Sequence, residues 1–481
     1  MTTNTTTAPA SATVATGAPA GPALTSAGLV TVLLGAALPI IDFFIVNVAL
    51  PTINADLHAS TATLELVVAA YGIAYAVLLV LGGRLGDTFG RRRLFLVGLT
   101  LFTLTSLACG LAPNATTLVL ARAAQGAASA MLLPQVLSII QAGTTGERRS
   151  RALGLFGATG GISTVIGQLL GGALVAADLF GSSWRPIFLV NVPIGIVGLL
   201  LARRTVPDSR AANPLGVDRW GTALLAVSLL SLLIPIMEGH ALGWPWWTIA
   251  LLALFPFAAY GFVRVETSLE RAGGTALLPP ALLRTASVRH GLTVAVPYFC
   301  GFGSFMFVYA VTLQDGLHLG PLGAGLALTP MAVAYFTTSL VSSHLVARFG
   351  RKIVPIGGAV LALGLAVLAG SALLAWPEVS LWQLAPAMVL VGVGNGMIMS
   401  TLFRVVLSRV PTDLAGVGGG VLTTTQQTSL ALGVAVFGSL FASLSLPGAL
   451  GFKEAFVLVI GLLAALAVLV SLLARKLPDP R

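Results

Sequence analysis

Charged side chains are scarce in this sequence. Only 9% of its 481 residues are Asp, Glu, Lys or Arg, against about a quarter in ordinary soluble proteins. With 56% hydrophobic residues and a mean hydropathy of +0.96, the chain cannot cover a soluble surface and belongs in a bilayer. Lysine is nearly absent, limited to Lys352, Lys453 and Lys476, and no G-x-x-x-x-G-K-[ST] run exists, so ATP hydrolysis within this chain is excluded. The two cysteines, Cys109 and Cys300, both fall within apolar runs and read as packing residues, not as a disulfide or metal site. Histidine gives no catalytic set either: His58, His240, His290, His318 and His344 are scattered, with no nucleophile and base beside one another. A membrane enzyme is therefore disfavoured, and neither enzyme activity nor a cofactor is expected. Residues 1–24 have no charged side chain, lack the basic start of a signal peptide and read as a disordered tail.

Apolar length is what the chain has in abundance. Fourteen stretches, from 25–50 to 455–474, approach the roughly 20 residues that cross a bilayer. They lack the alternation of barrel strands, and lipid offers no partner to free backbone groups, so the expected fold is an all-α polytopic membrane protein. The net charge of +10 does not indicate nucleic acid, because it lies on one side. Of the 26 basic residues, all but Arg122, Arg185 and Lys453 fall in the loops of that side. The positive-inside rule makes this side cytoplasmic, and an even number of spans places both termini there. The expected location is the cell membrane of a bacterium.

The charged joint "GGRLGDTFGRRRLFLVG" at 82–98 occurs after span 2, and "SSHLVARFGRKIVPIGG" at 342–358 occurs after span 10. A second echo pairs Gln125-Gly126 with Asn395-Gly396. Spans 1–6 thus correspond to spans 9–14, and spans 7 and 8 are an insertion. The boundaries read as a tail (1–24), a six-helix half (25–203), a linker with two inserted helices (204–264), a second linker (265–289), a second half (290–474) and a short tail (475–481). Two six-helix halves of this kind are an architecture of secondary transporters, with a site at the midplane between them.

The first joint resembles the loop signature of the major facilitator superfamily through Gly83, Leu85, Asp87, Gly90, Arg91 and Arg92. Small Gly83 and Gly86 suit close helix approach, and Asp87 is placed to cap a helix or pair with a cation. Arg91 to Arg93 are expected to hold anionic headgroups. Together these features read as a cytoplasmic gating latch. The second copy has Ala347 in place of the aspartate.

Span 1 ends in "IDFFIVNVALPTI" (41–53), which resembles the signature of the fourteen-span drug:proton antiporter branch. Asp42 is the one acid well inside a span, and an intramembrane ionisable group is a functional candidate. Burial opposes its charged form while a cationic ligand favours it, so one carboxylate can exchange a proton for substrate. In span 4, Arg122, Gln125, Gly126 and Ser129 share one helix face. The face resembles the superfamily's arginine motif, which implies proton transfer, although a structural tie from Arg122 accounts for it equally. Span 5 resembles the antiporter motif G-P-x-x-G-G through Gly167, Gly171 and Gly172, with Gln168 in the usual proline position and available as a polar contact in the pathway. Glu65 and Asp315 flank the expected external mouth, where solvated helix ends are the simpler reading.

The resemblance implies an exporter of amphipathic, including cationic, drugs or antibiotics, driven by inward proton flow. A dedicated exporter of one self-made metabolite is the alternative. The expected partners are small-molecule substrates, protons and the lipid bilayer, with the chain acting as a monomer.

Overall fold

The computed structural model describes residues 23–478, apart from 60, 211–217, 240–241, 275, 320, 412–413 and 446–447. Most of the expected tail therefore lies outside the described residues. Among the described residues all regular structure is helical. The first half contains α1 (Ser26–Leu57), α2 (Thr61–Phe89), α3 (Arg91–Gly110), α4 (Ala115–Gly143), α5 (Gly146–Ala177) and α6 (Pro186–Thr205). Two inserted helices follow, α7 (Arg219–Glu238) and α8 (Trp246–Arg271). The second half contains α9 (Ala286–Val311), α10 (Pro321–Leu340), α11 (Ile353–Ala375), α12 (Leu381–Leu407), α13 (Ala415–Gly433, prolonged to Leu444) and α14 (Phe452–Leu473).

Thirteen of these helices are long and apolar enough to cross a membrane, and α10 is not among them. Its hydropathy is reduced by Thr329, Thr337, Thr338 and Ser339. Thr338 and Ser339 are buried against neighbouring helices, which is how a polar side chain is accommodated in a bundle within lipid. Helix α8 continues to Arg271, past the domain limit expected at 264, and buries Glu266, whose Oε2 accepts from the Leu278 amide at 2.8 Å.

The internal repeat is visible in the packing. In the first half α2 lies on α4, α3 on α4, α1 on α5, and α3 on α6; in the second α10 lies on α12, α11 on α12, α9 on α13, and α11 on α14. The two halves meet through α5 against α10 and α12, and through α13 against α2 and α4. The inserted pair packs on itself, on α2 and on α13, and supplies no contact between equivalent helices.

Lipid tails are as apolar as leucine, so association within the bundle depends on close packing. A Cβ on Gly126 would sit 2.2 Å from the Tyr71 carbonyl oxygen, and one on Gly396 would sit 2.8 Å from that of Tyr335. These two glycines set the α2–α4 and α10–α12 approaches, and the Gln-Gly/Asn-Gly echo in the sequence marks them.

The largest core cluster lies toward the basic side and mixes both halves, from Ile140 and Leu153 to Val406 and Val410. Toward the opposite side one cluster is confined to the second half and another to the first. Bonds between the halves follow the same division: Tyr335 Oη donates to the Gly157 carbonyl at 2.7 Å, and Arg404 Nη2 donates to that of Ser150 at 3.2 Å. The bundle is closed on its basic side.

Candidate functional site

Asp42, half-way along α1, has no exposed surface. Its Oδ2 accepts from Arg122 Nη1 at 2.5 Å, and its Oδ1 accepts from Gln125 Nε2 at 2.9 Å and Asn191 Nδ2 at 2.7 Å. Arg122 is equally buried and donates through Nη1 to Gln125 Oε1 at 2.8 Å and through Nε to the Val67 carbonyl at 3.1 Å. Its Nη2 has no partner among the described residues. Asn191 also donates to Ser106 Oγ at 3.0 Å. One carboxylate therefore ties α1 to α4 and α6, and Arg122 ties α4 to α2. A buried ion pair is costly unless hydrogen bonds meet its remaining valences, and three neighbours, Gln125, Asn191 and the Val67 carbonyl, meet all but that of Arg122 Nη2.

A cavity of roughly 810 Å³, counting the part open to solvent, lies at mid-membrane between the halves. Tyr71 separates it from the ion pair. One side of this tyrosine lines the cavity, the Arg122 guanidinium carbon lies 4.3 Å from its ring centre, and its hydroxyl bonds the Pro39 carbonyl at 3.0 Å and Ser129 Oγ at 2.8 Å. An occupant pressing on Tyr71 thus acts directly on the residue that holds Asp42. Asp42, Arg122, Gln125 and Gln168 are not among the residues that line this cavity. The three-residue spacing puts Arg122 and Gln125 on the α4 face that packs against α1 and α2, and that face is sealed. Gln168 is half-buried on α5, while Gly167 and Gly171 lie against the α1 backbone and Gly172 is buried beside them.

At the joint between α2 and α3, Asp87 Oδ1 accepts from Arg91 Nε at 3.1 Å and Nη2 at 3.0 Å, with both side chains buried. Gly90 turns the chain at φ +105°, a conformation that favours glycine. Arg91 therefore points inward and does not meet headgroups as expected. Arg92 bonds the Arg203 carbonyl, and Arg93 is the exposed member of the triplet. Gly83 is buried just before, on α2, and the nearby Arg84 holds the carbonyls of Leu277 (3.1 Å) and Ala276, fastening the linker after α8. Asp315 is an exposed helix-end charge; the Glu65 side chain lies outside the described residues. Asp87→Asn is expected to leave the protein in the membrane and to slow transport of every substrate alike. Rates for several substrates measured side by side check this, and loss of a single one would contradict a gating role.

The sequence reading did not single out Asn191 or Tyr71. Asn191 is a lone amide in an apolar span, a signal of the same kind as Asp42. Tyr71 counts toward hydropathy and gives no signal.

A family model described as Major Facilitator Superfamily matches residues 32–434 and, in a second alignment, 292–481. The chain is 36% identical over 415 residues to a probable actinorhodin transporter of Streptomyces coelicolor, covering 86% of this chain and 72% of that one. It is 34% identical to the cephamycin export protein CmcT of Amycolatopsis lactamdurans, covering 92% and 91% of the two chains. Among solved structures, the human organic anion transporter MFSD10 superposes with a TM-score of 0.67 at 14% identity, over 93% of this chain and 99% of that one, a likeness of fold. Twelve helices in two repeated halves with an inserted pair between them, the charged joint and these matches lead to one conclusion: the chain belongs to the Major Facilitator Superfamily.

Proposed function

We propose that this protein exports small, largely apolar molecules of the drug or antibiotic kind from the cytoplasm in exchange for protons. The observation that carries the reading is the buried Asp42–Arg122 pair set against a cavity between two repeated halves. Export is supported by the relatives, one called a transporter of actinorhodin and another an exporter of cephamycin. Proton exchange is supported by chemistry: Asp42 can change charge, and its charge decides whether the Arg122 ion pair holds α1 to α4.

In this reading the ionised Asp42 holds Arg122, and a protonated Asp42 releases it. Arg122 then shifts against Tyr71, which borders the cavity, so the proton and the substrate oppose each other without touching the same atom. A proton moving through 100 mV releases about 2.3 kcal/mol, enough to drive uphill extrusion. The latch at Asp87–Arg91 and the Tyr335 and Arg404 ties open when the bundle exposes its basic side.

Accumulation into inverted vesicles under an imposed pH gradient, using several antibiotics, tests the reading. Accumulation that collapses with the gradient supports it, and accumulation indifferent to the gradient opposes it. Orientation has its own check. Leu242, between α7 and α8, is exposed and offers a probe position. Leu242→Cys should react with a membrane-impermeant maleimide added outside the cell, and reaction only from the cytoplasm would reverse the assigned topology.

A further inference from the structure

If the protein is an exporter, a reading on which the substrate class depends, its cavity lining specifies the chemistry of the occupant. Ten of the twenty lining residues are Phe or Tyr, in a chain that is 7% aromatic, and they come from both halves. No Asp, Glu, Lys, Arg or His lines it among the described residues. Asp42, the nearest acid, is sealed behind Tyr71 with its oxygens occupied.

The tyrosines mostly present rings, because their hydroxyls are used within the protein. Tyr71 bonds Pro39 and Ser129, Tyr298 donates to Asn395 Oδ1 at 3.0 Å, and Tyr335 donates to Gly157. Gln426 and Gln427 differ. Both line the cavity from α13, and neither carboxamide has a protein partner among the described residues. Adjacent amides present donors and acceptors side by side in an otherwise apolar space. A half-buried amide without a partner costs free energy unless water or the ligand satisfies it.

Aromatic walls also attract cations, so charge must be decided on its own. The inner side of the Tyr71 ring is already occupied by the Arg122 guanidinium, whose charge is paired with Asp42, so the ion pair offers no net negative charge to a cation in the cavity. A cation here would lose its hydration with no anion to replace it.

We infer that the preferred substrate is an uncharged, flat, fused-ring aromatic bearing neighbouring keto and hydroxyl groups, stacked between the aromatic walls of the two halves and read by Gln426 and Gln427.

Three flat probes separate the possibilities in lipid nanodiscs at neutral pH: dihydroxyanthraquinone (uncharged, keto and hydroxyl groups), pyrene (uncharged, no hydrogen-bonding groups) and ethidium (cationic). The anthraquinone should bind about tenfold or more tightly than ethidium, since a site lacking a counter-charge rejects the ion. Gln426→Leu with Gln427→Leu should weaken the anthraquinone about tenfold and leave pyrene unchanged. Gln426→Glu should shift the preference toward ethidium. Ethidium binding as tightly as the anthraquinone to the unaltered protein would overturn the inference. So would a Leu pair that weakens pyrene equally, or a Glu variant that leaves ethidium unimproved. The export reading fails separately: pH-driven accumulation of ethidium with the anthraquinone left behind rejects the substrate class but keeps export. Binding in the predicted order without pH-driven accumulation rejects export and keeps the class.

Discussion

Asp42→Asn is expected to reach the membrane with a lowered thermal stability, since it leaves Arg122 buried without its counter-charge, and to lose about tenfold or more of its pH-driven accumulation, the scale of a typical coupling free energy. The substitution keeps the shape of the side chain. Its carbonyl can still accept from Gln125 and Asn191, which places its amide against Arg122 Nη1 and ends the ion pair. The variant thus copies the protonated carboxyl and cannot return to the ionised one. Because Asp42 is absent from the cavity lining, the loss should be similar for charged and uncharged substrates. Accumulation in inverted vesicles with and without a pH gradient measures the effect, and full gradient-driven transport in the variant would remove Asp42 from the coupling step.

Arg122→Ala should be the most damaging single change in the first half. It strands a fully buried carboxylate, and breaking such a pair by removing one partner costs about 3–5 kcal/mol. It also frees the Val67 carbonyl and removes the support behind Tyr71. Adding Asp42→Asn should restore much of the stability, because an uncharged pair no longer needs its partner. Thermal unfolding in detergent of the two single variants and the double one forms the cycle. Additive losses would mean that the two residues act independently. Arg122→Lys keeps the charge but cannot span Asp42, Gln125 and Val67 at once, since a point charge replaces a planar fork. It should fold and turn over slowly.

Much of the architecture was legible in the sequence because lipid imposes it: apolar runs of sufficient length must be helices, and the repeated joint gave the correspondence of halves. Helix α10 was legible as one of the fourteen apolar stretches, although its threonines lower its hydropathy. The polar face of α4 was legible from its spacing. What the spacing did not reveal was the direction of that face, because burial behind Tyr71 depends on α1, α2 and α6 meeting across more than a hundred residues of chain. Arg91 was misread for a related reason. Proximity to a bilayer surface favours lipid contact for an arginine, but Asp87 one turn earlier pulls it into the joint. The place of the cavity between the halves was expected from the repeat, but its lining was not legible, because its aromatic residues count as apolar and α13, which supplies Gln426 and Gln427, reads as an ordinary span.

In the proposed exchange, occupation of the cavity and protonation of Asp42 exclude each other. Proton release on ligand binding tests this most directly, measured with purified protein in a weakly buffered solution at a pH where part of the population is protonated. The expected result is that a saturating aromatic ligand releases protons from the unaltered protein and none from Asp42→Asn, which binds the same ligand more weakly. Equal release from the two proteins would contradict it.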